Sequence, residues 1–166
     1  MANKIADEYL IKELENETQF TSFSCADKDL NDFLINNAKS NNDNLISKTY
    51  IYYNQVSEEI IGFISLSAYR LNLSNTIQFG LTQVPAVLLG RLAIDNNYRG
   101  KNLAVNLINY ARGVCNEVKQ LIGCRLLIVE VKVNNTNLVR YFLDRGFEII
   151  HKSKKFYYLM IDLKLL

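Results

Sequence analysis

The sequence predicts an α/β (α+β) fold, a mixed sheet flanked by helices. Three observations carry this reading. Runs rich in β-branched and aromatic residues alternate with stretches of helical periodicity. The two most apolar runs, 84–95 and 124–133, are joined by a long amphipathic segment whose second connection is short, which sets the two strands side by side and parallel. The chain of 166 residues, 49% hydrophobic and 22% charged, is the size of one hydrophobic core. With one proline, seven glycines and no internal repeat, nothing in it reads as a linker, so residues 1–166 are expected to form a single domain.

In chain order, Tyr9 to Leu14 reads as a short first strand. Asp27 is a good N-cap for a helix whose apolar face is Leu30, Phe33, Leu34 and Ala38, ending near Asn41 to Asn44. KTYIYYNQ (48–55) and IIGFISLSAYRLNL (60–73), separated by a polar tip, form a hairpin, with Tyr50, Tyr52 and Tyr53 as sheet-packing residues. VPAVLLGRLAID (84–95) is apolar enough for a strand buried on both faces. Leu103, Leu107, Ala111, Val114, Val118 and Leu121 then line one face of a long helix starting just after Arg99 to Lys101. CRLLIVEVKV (124–133) is the next strand. A helix over roughly Asn135 to Arg145, stopped by Gly146, precedes a final pair at 147–152 and 155–163.

Several classes are excluded. Apolar stretches such as Val84 to Leu89 fall far short of the roughly 18 residues of a membrane span. The acid-rich N-terminus lacks the apolar core of a secretory signal, so the cytoplasm is the expected location. Cys25, Cys115 and Cys124 are odd in number and without CxxC spacing, as expected of reduced thiols; with one histidine, His151, they make no familiar metal set, and no metal is expected. The net charge of +2 conceals an asymmetry: residues 1–90 carry 6 basic and 11 acidic groups, and residues 91–166 carry 13 basic and 6 acidic, for net charges of −5 and +7. An anionic partner for the second half, or a solvated basic face, accounts for that imbalance.

The most informative stretch is the turn between the apolar strand and the long helix, Asn97 to Ala104. A helix opening straight from a strand end presents unsatisfied N–H groups and the positive end of its dipole, a ready site for a pyrophosphate. Gly100 permits close approach, and Arg99 and Lys101 add charge.

LGRLAIDNNYRGKNLAVNLI followed by VEVKVNNTNLVRYFLDRGF resembles the GNAT acyl-CoA N-acetyltransferases, in which a strand, an R/Q-x-x-G-x-G/A loop and a helix hold the coenzyme A pyrophosphate. The resemblance implies a GNAT-like domain with a mixed, twisted central sheet, an acetyltransferase activity and acetyl-CoA as cosubstrate. In the loop, Arg99 matches the first position, Asn102 replaces the first glycine and Ala104 is the permitted alanine, so the cofactor-binding set is Arg99, Gly100, Lys101, Asn102, Leu103 and Ala104. Asn is the non-glycine residue that best tolerates a left-handed backbone, and the substitution is expected to weaken the loop little. Leu92, Ala93 and Ile94 are assigned to pairing with the pantetheine arm as an added strand would. Asn135 and Gly146-Phe147 fall at the family's spacing, but its tyrosine, the usual proton donor to the leaving thiolate, is here Phe142. Asn135 and Phe142 are carried over as cofactor-binding. Tyr141, immediately ahead of Phe142, becomes the candidate catalytic residue, although adjacent helix residues point about 100° apart. Tyr157, Tyr158 and water are further candidate donors.

FSCADKDLNDFLINNA and VPAVLLGRLAID are similar to phrases of the subgroup that acts as toxins of toxin–antitoxin pairs and acetylates aminoacyl-tRNA. That likeness implies a charged tRNA as substrate, a ribbon-helix-helix antitoxin as partner and a homodimer. A protein N-terminus, a lysine or a small amine is the rival acceptor, and a non-catalytic protein that binds coenzyme A or an antitoxin is the rival outside enzymes. Arg91 is a candidate for substrate contact or, alternatively, half of a buried ion pair. Glu130 and Asp95 are candidate proton acceptors, against solvated or paired acids as the ordinary reading. His151 reads as a plain strand residue and 152–155 as a charged turn.

Overall fold

A computed structural model describes residues 8–18, 20 and 22–166; the N-terminal signal reading rests in part on residues outside these. Seven strands hydrogen-bond in the order β1-β2-β3-β4-β5-β7-β6: β1 Tyr9–Glu13, β2 Lys48–Asn54, β3 Glu59–Asn72, β4 Gln83–Ile94, β5 Leu126–Lys132, β6 Glu148–Lys152 and β7 Phe156–Asp162. β1 and β2, β2 and β3, β5 and β7, and β6 and β7 pair antiparallel, and β4 and β5 run parallel as expected. The helices are α1 Lys28–Asp32, α2 Ala38–Asp43, α3 Ala104–Leu121 and α4 Thr136–Leu143. The chain divides into two compact units, one formed by residues up to Ser67 with Arg91–Ala111 and the other by Ala68–Gly90 with Arg112–Leu166.

In the first unit, Asp27 caps α1 by accepting from the Asp29 and Leu30 amides at 2.9 and 3.3 Å. The single helix expected here is interrupted by a π turn at Phe33–Asn37. Even so, Phe33, Leu34 and Ala38 are buried, in a core with Phe23, Ile51, Phe63 and Ala93. Tyr50 and Tyr52 are sheet residues, packing on Tyr110 at 5.0 Å between ring centres and accepting a hydrogen bond from Asn106 at 2.9 Å, respectively.

In the second unit, Leu71, Val84, Ala86, Leu126, Ile128 and Met160 form the core. The bidentate pair of Arg125 with Asp162, at 2.6 and 2.8 Å, ties the start of β5 to the end of β7. Gly146, at φ +82°, ends the α4 segment where expected. Cys115 is fully buried, as expected of a core thiol, but Cys124 is only half-buried.

Two expectations are corrected. β4 is not buried on both faces: Pro85, Gly90 and Arg91 are exposed and Leu88 and Leu92 half-buried, so its apolar character exceeds its burial. Leu121 does not belong to the core face of α3; at 83% exposure it lies on the helix's last turn, with Ile122 and Gly123 also exposed.

Candidate active site

Asp95 anchors the turn after β4. It is 3% exposed, and its two carboxylate oxygens accept from the amides of Ser24 at 2.9 Å and Asn97 at 2.8 Å. Its own amide donates to the Ile61 carbonyl at 2.7 Å. Buried and holding both amides, Asp95 serves as a structural cap of the turn. Downstream, the Tyr98 hydroxyl donates to Glu59 at 2.6 Å, a bond that raises the phenol's pKa and lowers that of the carboxyl. Arg99 is extended, and Gly100 and Asn102 are left-handed, at φ +76° and +56°. The asparagine thus adopts the backbone for which the family uses glycine. Arg99, Gly100, Lys101 and Asn102 are exposed, Leu103 and Ala104 half-buried, and α3 opens at Ala104 with the positive dipole end that suits an anion.

The backbone of β4 suits the other half of a nucleotide thioester. The Ala93 carbonyl faces Gly62 of β3. Successive residues of a strand turn their N–H and C=O groups to opposite edges, so the groups of Leu92 and Ile94 face the other edge of β4. β4 runs on to Ile94 after its last pairing with β5 at Leu88, leaving an edge that an extended amide-bearing chain can join.

Arg91 is exposed and lies over the Phe33 ring at 3.8 Å from its centre. It borders a cavity of about 350 Å³ lined also by Asp29, Asp32, Asn37 and Asn41. Among the described residues it makes no ion pair, so the buried pair weighed from the sequence does not form.

Asn135, Tyr141 and Phe142 belong to the other unit. The exposed Asn135 caps α4, its carboxamide oxygen accepting from the Leu138 amide at 3.2 Å. Phe142 is 3% exposed and packs edge-on against Phe147, ring centres 5.1 Å apart. Tyr141 carries a buried hydroxyl beneath the Arg145 guanidinium, which lies 3.3 Å from the ring centre. Burial raises its pKa, and the charge of Arg145 and its hydrogen bond to the phenol oppose that rise. A phenol kept protonated in this way is able to donate.

In the same unit Tyr157 and Tyr158 are half-buried, the former 4.8 Å beneath Lys152 and the latter 5.3 Å from the His151 ring. His151 is a strand residue, as read from the sequence. Glu130 accepts from the Tyr69 hydroxyl at 2.8 Å. Tyr69 went unremarked in the sequence, where it is one more aromatic in a strand run. No group of three or more His, Cys, Asp or Glu able to hold a metal occurs among the described residues.

The model of the acetyltransferase (GNAT) family matches residues 9–147. A tRNA-acetylating toxin of Mycobacterium tuberculosis is 26% identical over 122 residues, covering 71% of this chain and 72% of the relative. Among solved structures, a tyrosine-to-phenylalanine mutant of the toxin AtaT, bound to the C-terminus of the antitoxin AtaR and acetyl-CoA, is 25% identical with a TM-score of 0.81 over 96% of each chain. AtaT complexed with acetyl-methionyl-tRNAfMet superposes with a TM-score of 0.83 at 22% identity, covering 95% of this chain and 96% of that one. With its family-model match extending over most of its length, this chain belongs to the GNAT acetyltransferase family.

Proposed function

We propose that this protein transfers the acetyl group of acetyl-CoA to the amino group of an aminoacyl-tRNA, as the toxin of a toxin–antitoxin pair in the cytoplasm, with residues 1–166 working as one catalytic domain. The observation that carries the reading is the open edge of β4 leading directly into a left-handed loop at the start of α3. Leu92 and Ile94 offer main-chain groups to the pantetheine amides, and Arg99 to Ala104 cradle the pyrophosphate with helix N–H groups and two side-chain charges. Bound there, acetyl-CoA supplies a thioester that a neutral amine attacks directly. Tyr141 donates a proton to the departing thiolate in place of the hydroxyl that Phe142 lacks.

The tRNA as acceptor is supported by the curated relative, a tRNA-acetylating toxin, and by the net charge of +7 on residues 91–166. Arg91, its guanidinium splayed over Phe33 and unpaired, suits a phosphate of the acceptor stem. A ribbon-helix-helix antitoxin and a second copy of the chain are the proposed protein partners.

Incubation with labelled acetyl-CoA and a panel of charged tRNAs, free amines and peptides tests this. Label on the aminoacyl group is the expected result. Label only on a peptide N-terminus, a lysine or a small amine overturns the tRNA assignment, and tight coenzyme binding without transfer to anything overturns the enzymatic reading.

A further inference from the structure

We infer that the tip of the β6–β7 hairpin and the end of β5 form a contact surface for the phosphate backbone of the tRNA. The inference rests on the aminoacyl-tRNA reading above, and the surface lies wholly within the second unit. β5 and β6 both run antiparallel to β7, so both end where β7 begins. Lys132, the last residue of β5, is opposite Phe156, and Lys152, the last of β6, is opposite Tyr157. Lys154 and Lys155 stand in the turn between β6 and β7. Four exposed lysines are thereby gathered at one end of three neighbouring strands, although Lys132 is distant from the others in the chain.

A solvated face generally intersperses both signs of charge. This one does not: residues 131–135 and 151–158 contain four lysines, one histidine and no acid. In the first unit, by contrast, Lys12 pairs with Glu15, Lys39 with Asp43 and Lys48 with Glu13. None of the four hairpin-end lysines forms an ion pair among the described residues. The acid two residues before Lys132, Glu130, is held by the Tyr69 hydroxyl at 2.8 Å and not by a lysine.

The backbone that carries these charges is fixed. The Ser153 amide donates to the Phe156 carbonyl at 2.8 Å, and the Phe156 amide donates to Ser153 Oγ at 2.9 Å. The Val133 amide donates to the Lys155 carbonyl at 3.0 Å, which ties the turn to β5. The Lys152 ammonium lies 4.8 Å from the centre of the Tyr157 ring. A surface ordered beforehand loses less entropy when a ligand settles on it. An ammonium is a point charge that suits a phosphate oxygen, and the cluster holds no arginine, whose planar fork recognises base edges. The contact is therefore with the backbone and independent of sequence. A phosphodiester chain carries a charge at every nucleotide and engages several lysines in succession, which an isolated acidic side chain cannot do.

The test measures charged-tRNA binding over a range of salt, kcat and tRNA KM, and calorimetric acetyl-CoA binding. It compares wild type, the triple variant Lys152→Ala/Lys154→Ala/Lys155→Ala, Lys132→Ala, and the charge-matched control Lys12→Ala/Lys39→Ala/Lys48→Ala. The hairpin variant is expected to bind tRNA about tenfold or more weakly at physiological salt and to reduce the slope of log K against log salt by about 2–3. Its tRNA KM should rise in proportion, with kcat and acetyl-CoA Kd at wild-type values. Lys132→Ala should reduce the slope by about 1. The loss should be the same for tRNAs that differ in acceptor-stem sequence. An unchanged slope and KM in the hairpin variant, or an equal fall in the control, overturns the inference while the transferase reading stands. A wild type that neither binds nor acetylates charged tRNA overturns both.

Discussion

The carbonyl oxygen of Ala93 lies 2.6 Å from the point that a β-carbon on Gly62 would occupy, and Ile94 Cδ1 lies 2.7 Å from it. Any side chain at position 62 therefore pushes against the segment of β4 proposed to pair with pantetheine. Overpacking of this kind costs about 1–3 kcal/mol. Gly62→Ala is expected to lower Tm and to weaken acetyl-CoA binding by about tenfold or more, as calorimetry would register; unchanged affinity would show that β4 does not carry the pantetheine.

Asn102 stands at φ +56°, a backbone that costs a residue without a small polar side chain about 1–2 kcal/mol. Asn102→Gly is expected to retain coenzyme affinity. Asn102→Val should weaken it and lower Tm, since a β-branched residue resists the left-handed region most. Equal affinity in the two variants would remove the loop from the pyrophosphate site.

Tyr141→Phe deletes a buried hydroxyl beneath Arg145, so Tm should change little while kcat falls by about 10²-fold or more. Unchanged kcat would assign the proton to Tyr157, Tyr158 or water. Phe142→Tyr restores the family's hydroxyl beside Phe147 and is expected to raise kcat; burying the new group without a partner costs about 1–3 kcal/mol of stability, measurable by thermal denaturation.

The Asp162 carboxyl is held below the usual carboxylate range chiefly by its hydrogen bonds from Arg125. Its folded pKa being depressed, the stability it contributes is fully present above the unfolded value of about 3.9 and is lost as pH falls through the lower folded value. Asp162→Asn is expected to cost about 1 kcal/mol at neutral pH and to flatten the acid limb of a stability–pH curve below about pH 4. An acid limb identical to that of wild type would refute the assignment.

The elements that one dominant rule fixes were legible in the sequence. Asp27 announces a cap, Gly146 a stop, and the amphipathic run after Lys101 a long helix, and each is found. At the site, the resemblance set Asn102 at a glycine position, whose left-handed backbone an asparagine tolerates, and the residue adopts it. The π turn at Phe33–Asn37 was illegible, since FLINN offers the same apolar face to an ordinary helix. Periodicity reports how apolar a strand is but neither what covers its faces nor whether its neighbour persists, so VPAVLLGRLAI gives no sign of its exposed Gly90 and Arg91 or of the end of its pairing with β5 at Leu88. Nor does local pattern say that β7 inserts between β5 and β6. Tyr69 and Glu130, 61 residues apart, meet only because β3 and β5 are brought together in the folded unit.

The early end of the β4–β5 ladder also bears on how long the protein survives in a cell. An uncovered strand edge is a template for pairing with other chains, and it is most dangerous when nothing lies along it. A ligand laid on that edge protects it, adding about 2.7 kcal/mol of apparent stability when present at 100 times its Kd. The ligand-free protein is accordingly expected to be the form more readily lost to proteolysis and aggregation.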